Sequence, residues 1–194
     1  MESTKGRVQW QKRVMDTALK IEGFEPVGSG FEFRKEVCQM IADTQLFEEF
    51  PWVMIEDFSW YVQTYHVKAG TTVFLEGDPG TFMCVIVSGQ VEILKADENG
   101  NPQRIAVVSK GKTFGEMALI DSEKRSATCV TTQDSTLLAL TEALYERILR
   151  ERPALAARIL AKLAKLMSQR LRSASGLMLE HLHAEDLAGL PHKH

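Results

Sequence analysis

Long hydrophobic runs are missing from this chain of 194 residues. No apolar stretch approaches the roughly 18 residues that a membrane-crossing helix needs. Met1 to Arg7 lead into no apolar core of a secretory signal. The expectation is a cytoplasmic protein with no membrane span. Cysteine is scarce as well. Cys38, Cys84 and Cys129 stand far apart without metal-ligand spacing, and the last two fall in apolar strand-like runs that predict reduced core residues. Histidine is nearly absent where strands are expected. Only His66 lies there, whereas a zinc or iron enzyme built on a β-barrel needs several inward-facing histidines. His181, His183, His192 and His194 gather near the C-terminal end, but ligand types without a fixed scaffold do not make a metal site, and none is assigned. There is no glycine-rich nucleotide loop and no kinase signature. No catalytic residue and no cofactor is assigned, and the chain is expected not to be an enzyme.

What is present is ordinary in amount and uneven in placement. Hydrophobic residues make up 44% and charged residues 25%, as in a globular domain. The net charge is −3, yet residues 147 to 172 hold eight basic residues, Arg147 to Arg172, against one acid, Glu151, so that segment is +7 and the remainder −10. A basic helix suits nucleic acid, an acidic membrane or an acidic partner. A solvated helix face is the commoner meaning of such a run and is the reading adopted.

Along the chain, residues 7 to 21 read as a weakly amphipathic helix, 23 to 30 as a break, and 32 to about 50 as a second helix. Asp43-Thr44 offers an alternative start for a shorter helix over Leu46 to Phe50, and Val53 to Phe58 is a further short helix. From Trp60 the period changes to strands at 61–67, 71–75, 83–87, 90–95, 104–109, 126–131 and 135–140, with turns at Ser88-Gly89 and Asp97 to Pro102. Thr141 then caps a helix over Glu142 to Arg150, and Pro153 opens a longer one to about Ala174 that Gly176 is expected to end. Leu177, Met178, Leu179 and Leu182 read as a short apolar helix beyond it. The fold class expected is mainly β with flanking helices: a jelly-roll-like β-roll with N-terminal helices and C-terminal helices serving as lid and dimer seam.

The densest chemistry lies at residues 114 to 130, FGEMALIDSEKRSATCV. Glu116 and Arg125 stand nine residues apart around a short apolar turn, with Gly115 before the acid and small residues after the base. A guanidinium forks onto phosphate oxygens with two parallel bonds. A carboxylate accepts from a ribose hydroxyl, a glycine permits close backbone approach, and amides opening a helical turn favour an anion. The set is suited to a ribose cyclic phosphate.

Here the sequence resembles the cyclic nucleotide-binding domain family, seen in cAMP receptor proteins and protein kinase A regulatory subunits. The phosphate cassette of that family is filled by Phe114, Gly115, Glu116, Met117, Ala118, Leu119, Arg125, Ser126, Ala127 and Thr128. A second signature, Phe74 to Gly80 followed by Val85 to Ile93, lies upstream. The resemblance covers about residues 43 to 172, with one departure: Cys84 stands where an aromatic is usual. It implies a ligand site of Gly115, Glu116, Met117, Ala118, Arg125, Ser126 and Ala127, with Phe74, Ile93 and Ile105 as base contacts inside the roll.

The resemblance also implies a division into an N-terminal helical extension (1–42), a nucleotide-binding domain with its C-terminal helices (43–176), and a tail or lid (177–194). A winged helix would need about 60 residues more, so a stand-alone sensor without sequence-specific DNA binding is expected. In the family, threonine after the arginine favours cGMP. Ser126 lacks that methyl, and cAMP is the regulatory ligand expected, with cGMP as an alternative. A cyclic di-GMP effector on the same fold, and a degenerate interaction module that binds nothing, are the other readings. The wide apolar stripe of the last helix predicts a homodimer through residues 153–174, with Leu163 and Met167 toward the twin. The signal is expected to pass to a protein partner that the sequence does not identify.

Overall fold

The computed structural model describes Leu19, residues 21–28 and residues 30–188, with side chains described to Gly176 except at 30 and 31. The helix expected over 7–21, the apolar side chains from Leu177 onward and the four C-terminal histidines lie outside what is described.

Among the described residues nine strands form two antiparallel sheets. One has the order β1 (Phe24–Pro26), β2 (Gln63–Val67), β9 (Ser135–Thr141), β4 (Phe82–Ser88) and β7 (Thr113–Phe114). The other has the order β3 (Thr72–Phe74), β8 (Thr128–Thr131), β5 (Gln90–Ala96) and β6 (Pro102–Ser109). This is the expected β-roll. Alternation explains it: along β2, β4 and β9 the inward residues Tyr65, Val67, Cys84, Ile86, Leu137 and Ala139 are fully buried and join one core with Phe74, Phe114 and Cys129. Gly89, at φ 92, turns β4 into β5, and a Cβ there would collide with Ser135.

Among the described residues five helices accompany the sheets: α1 (Gly30–Ala42), α2 (Trp52–Phe58), α3 (Glu116–Asp121), α4 (Glu142–Glu151) and α5 (Pro153–Ala188). Thr141 caps α4 as expected, its Oγ1 accepting from the Leu144 amide at 3.3 Å.

Several expectations need correction. The helix from Glu32 ends at Ala42, not near Phe50, and no regular helix covers Leu46 to Phe50. The Thr44 hydroxyl and amide both donate to the Ile41 carbonyl, and the Gln45 amide turns away to the Gly111 carbonyl. Leu46 and Phe47 are buried from this non-helical segment, with Phe47 4.4 Å from the Phe58 ring. The break at 23–30 holds strand β1, docked by Phe24 against Tyr65, ring centroids 5.3 Å apart. Three residues are too few to show alternation. Strand β7, with two residues, escaped notice for the same reason. The turn after Phe114 is a six-residue helix.

Gly176 does not end the last helix, which runs on to Ala188. One glycine costs a helix about 1 kcal/mol, and the alanine, leucine, methionine and glutamate around it offset that.

The chain divides into two compact units, with the boundary between Ala156 and Ala157 inside α5. The second unit is helical through Ala188. Within it Ile159, Leu163 and Leu166 are buried, and Leu160 and Leu171 are exposed.

Candidate functional site

The cassette is built where regular pairing stops. Strands β3 and β8 pair at Thr72–Val130 and Phe74–Cys129, with a register shift between. Past Phe74 the chain is held differently. The Gly77 amide donates to the Arg125 carbonyl at 2.9 Å, and the Arg125 amide donates to the Asp78 carbonyl at 2.8 Å. Asp78 Oδ2 accepts from the Leu75 amide, and Thr128 Oγ1 accepts from the Glu76 amide. Pro79 bridges Lys124. The two sequence signatures, some forty residues apart, are thus laced to each other around Arg125.

The Arg125 side chain turns inward and is 3% exposed. Its Nη1 donates to the Gly115 carbonyl at 2.9 Å and its Nη2 to the Phe82 carbonyl at 2.7 Å. The guanidinium carbon lies 3.9 Å from the Phe74 ring centroid and 4.6 Å from that of Phe82, two cation–π contacts with rings that stand edge to face with each other. Its Nε is buried with no hydrogen-bond acceptor. Burial pushes the Arg125 pKa down, and the nearby Cys84, Cys129, Asp78 and Glu116 push it back up. A buried cation so placed has its Nε–H still to give and gains from an incoming anion.

Glu116 is 4% exposed and opens α3, where the helix dipole favours a carboxylate. Gly115 precedes it at φ 76. A Cβ there would stand 2.8 Å from Arg125 Nη1 and 3.1 Å from the Phe74 ring, so both its backbone and its bareness are required. Ala118 is buried, its methyl against Gly80, and Ala127 is buried. Met117 and Ser126 face solvent, with Ser126 Oγ 3.8 Å from Met117 Sδ. Cys84 and Cys129 are buried free thiols whose pKa burial pushes up, that of Cys129 to about 12.

The three proposed base contacts separate. Phe74 lies against Arg125, where its face is taken by the guanidinium. Ile93 is half-buried and packs on the core. Ile105 is 58% exposed, the extra residue of a bulge on β6 where Ile93 faces Ala106 and Leu94 faces Arg104; it is not part of the packed interior. Sequence reasoning missed Phe82 altogether. Its ring and its carbonyl both hold Arg125, and the only signal was an aromatic two residues after the Gly80 turn. A cleft of about 290 Å³ lies elsewhere, beside α1 and Gly111. It holds none of the cassette residues and no convergent phosphate donors.

Residues 64–152 match the family model of the cyclic nucleotide-binding domain. That match runs from β2 through α4, and over it the chain has the cyclic nucleotide-binding domain. The chain is 34% identical over 126 residues to the cyclic AMP receptor protein of Thermus thermophilus, covering 65% of this chain and 56% of that protein. It is 40% identical over 82 residues to a cAMP-dependent protein kinase regulatory subunit of Dictyostelium discoideum, covering 42% of this chain and 25% of that protein. A crystal structure of a cyclic nucleotide-binding domain from Methylobacillus flagellatus superposes with a TM-score of 0.72 at 27% identity, over 82% of this chain and 89% of that one. The chain spans about half the length of the first of these relatives and a quarter of the second. Those two relatives are a receptor and a regulatory subunit. Among the described residues no helix is long and apolar enough to cross a membrane, and no group of acidic, histidine and cysteine side chains is placed to hold a metal.

Proposed function

We propose that this domain is a non-enzymatic sensor that binds a purine 3′,5′-cyclic nucleotide, cAMP in preference to cGMP, and relays its presence to a protein partner. One observation carries the reading: the buried Arg125 guanidinium, in contact with the rings of Phe74 and Phe82, has an Nε with no acceptor. A cyclic phosphate supplies that acceptor and the negative charge that burial makes favourable. Glu116 takes the ribose hydroxyl. The names of the Thermus and Dictyostelium relatives support the adenine nucleotide.

The relay starts at Phe82. Its carbonyl holds Arg125, its backbone pairs with Thr141, and the neighbouring Thr81 carbonyl accepts from the Glu142 amide at 2.8 Å. A phosphate that draws Arg125 away from Phe82 thereby acts on the first turn of α4. The ligand moves this equilibrium only by its unequal affinity for the two positions. In the same reading a second copy joins through residues 153–174, with Leu160 and Leu171 as the exposed apolar contacts, and the protein works in the cytoplasm.

Calorimetric titration with cAMP, cGMP and cyclic di-GMP tests the assignment. One cAMP per chain, bound more tightly than cGMP, is expected. Tighter binding of cyclic di-GMP would replace the ligand, and binding of none would leave an interaction module.

A further inference from the structure

The β8 ladder to β5 ends at Leu94–Thr128, two residues short of the peptide that carries the phosphate-binding guanidinium. A side chain continues it. Lys95 Nζ, on β5, donates to the Ser126 carbonyl at 2.9 Å and to Glu76 Oε1 at 2.8 Å. Glu76 Oε2 accepts from the Ala96 amide at 3.1 Å, and the Glu76 amide donates to Thr128 Oγ1 at 2.9 Å. These four bonds close a ring through β5, the loop after Phe74 and the cassette strand on both sides of Ala127. Lys95 holds the Glu76 carboxyl below its ordinary pKa, first by their hydrogen bond, so the carboxyl stays charged at neutral pH.

We infer that Lys95 and Glu76 are positioning residues for the nucleotide phosphate: they splint the Ser126–Ala127 peptide, next to Arg125, where backbone pairing has run out. The inference rests on the cyclic nucleotide reading above. Neither side chain faces the phosphate donors, and an exposed ion pair of this kind adds little to stability by itself. Its use is geometric. The Arg125 backbone is fixed on one side by Gly77 and Asp78, and the Ser126 carbonyl on the other side is fixed by Lys95. Without the splint the Ser126–Ala127 peptide swings, the chain leaving Arg125 loses its anchor, and the guanidinium no longer meets the phosphate in one orientation.

The test titrates wild type, Lys95→Met, Lys95→Arg, Glu76→Gln and the double variant Lys95→Met/Glu76→Gln with cAMP, cGMP and cyclic di-GMP, alongside thermal unfolding. Lys68→Met, which removes an ion pair to Asp134 on the other sheet, is the control. Taking each protein's best ligand, Lys95→Met and Glu76→Gln are expected to weaken affinity by roughly 3- to 10-fold, as for loss of one charge-assisted contact that orders a site. Lys95→Arg is expected to restore most of it, the double variant to lose no more than either single one, and Lys68→Met to lose nothing. Unfolding midpoints should stay together. A wild-type chain that binds none of the three nucleotides overturns the reading beneath. A wild type that binds, with Lys95→Met binding equally well, overturns the splint alone. So does a loss in Lys95→Met matched by Lys95→Arg and Lys68→Met.

Discussion

Strands β4 and β9 pair at six positions, five of them in unbroken register from Phe82 opposite Thr141 to Ile86 opposite Leu137 before a shift at Ser88, whereas β3 and β8 on the other sheet pair at two, with a register shift between them. In the first region the backbone satisfies itself, and side chains are free to pack: Cys84, Ile86, Leu137 and Ala139 are wholly buried. In the second, backbone groups are held by Asp78, Thr128 and Lys95, and a guanidinium is turned into the interior. A satisfied ladder has no donor left for a ligand. The broken one leaves a charged group with capacity to spare. Stability and binding should therefore reside in different residues, and substitutions in each region should separate the two.

The largest effect is expected in the regular region. Leu137, at 0% exposure, lies between Tyr65 and Ile86 in neighbouring strands. Leu137→Ala should cost about 2 to 5 kcal/mol of folding stability by lost burial and a residual cavity, measured by chemical denaturation. Its nucleotide affinity, measured where the variant is still folded, should match wild type. In the broken region, Arg125→Ala should weaken cyclic nucleotide binding by about 2 to 4 kcal/mol. It should also lower stability somewhat, since the Gly115 and Phe82 carbonyls lose their donor. An affinity loss in Leu137→Ala as large as that in Arg125→Ala would erase the comparison.

Glu116→Gln sharpens it. An amide oxygen still accepts from a ribose hydroxyl without the charge, so a loss of about 1 kcal/mol is expected. The loss should shrink for a 2′-deoxy cyclic nucleotide, which lacks the partner hydroxyl. Equal losses for both ligands would remove Glu116 from the ribose.

The smallest effect concerns the far end of α4. Glu151 Oε1 accepts from Arg147 Nε at 2.6 Å and Oε2 from the Tyr61 hydroxyl at 2.8 Å, while Arg152 meets Asp57 at 3.3 Å. Burial alone would raise the Glu151 pKa, but the bonds from Arg147 and Tyr61 outweigh it and hold the carboxyl below its ordinary 4.5. Burial and the same bond raise Tyr61 to about 12. A depressed carboxyl contributes stability that is fully present above its unfolded value and is lost as pH falls through its folded value. Glu151→Gln should therefore cost about 0.5 to 1 kcal/mol at pH 7, discounted for its partial exposure. It should cost nothing once the pH has fallen through the lowered folded value and the wild-type carboxyl is protonated. A cost that persists in acid would assign Glu151 a packing role instead.

Sequence made the cassette legible because its chemistry is local: Gly115, Glu116 and Arg125 lie within eleven residues and carry distinctive types. The long strands were legible because alternation over five or more residues is a strong signal. What stayed hidden depends on residues far apart in the chain. Phe82 holds Arg125 across 43 residues, and Lys95 reaches Ser126 across 31. The end of α1 depends on Thr44 competing for a helix carbonyl and on Gly111 capturing the next amide. Gly176 misled because a helix former on each side outweighs one glycine.

The central claim is that a cyclic phosphate takes the open donor of Arg125. Side-chain 15N–1H spectra of arginine Nε groups, recorded with and without saturating cAMP and assigned by Arg125→Lys, test it at that atom. The account predicts that the Arg125 Nε–H resonance moves downfield and becomes protected from exchange when nucleotide binds. An Arg125 resonance unchanged at saturation would contradict it.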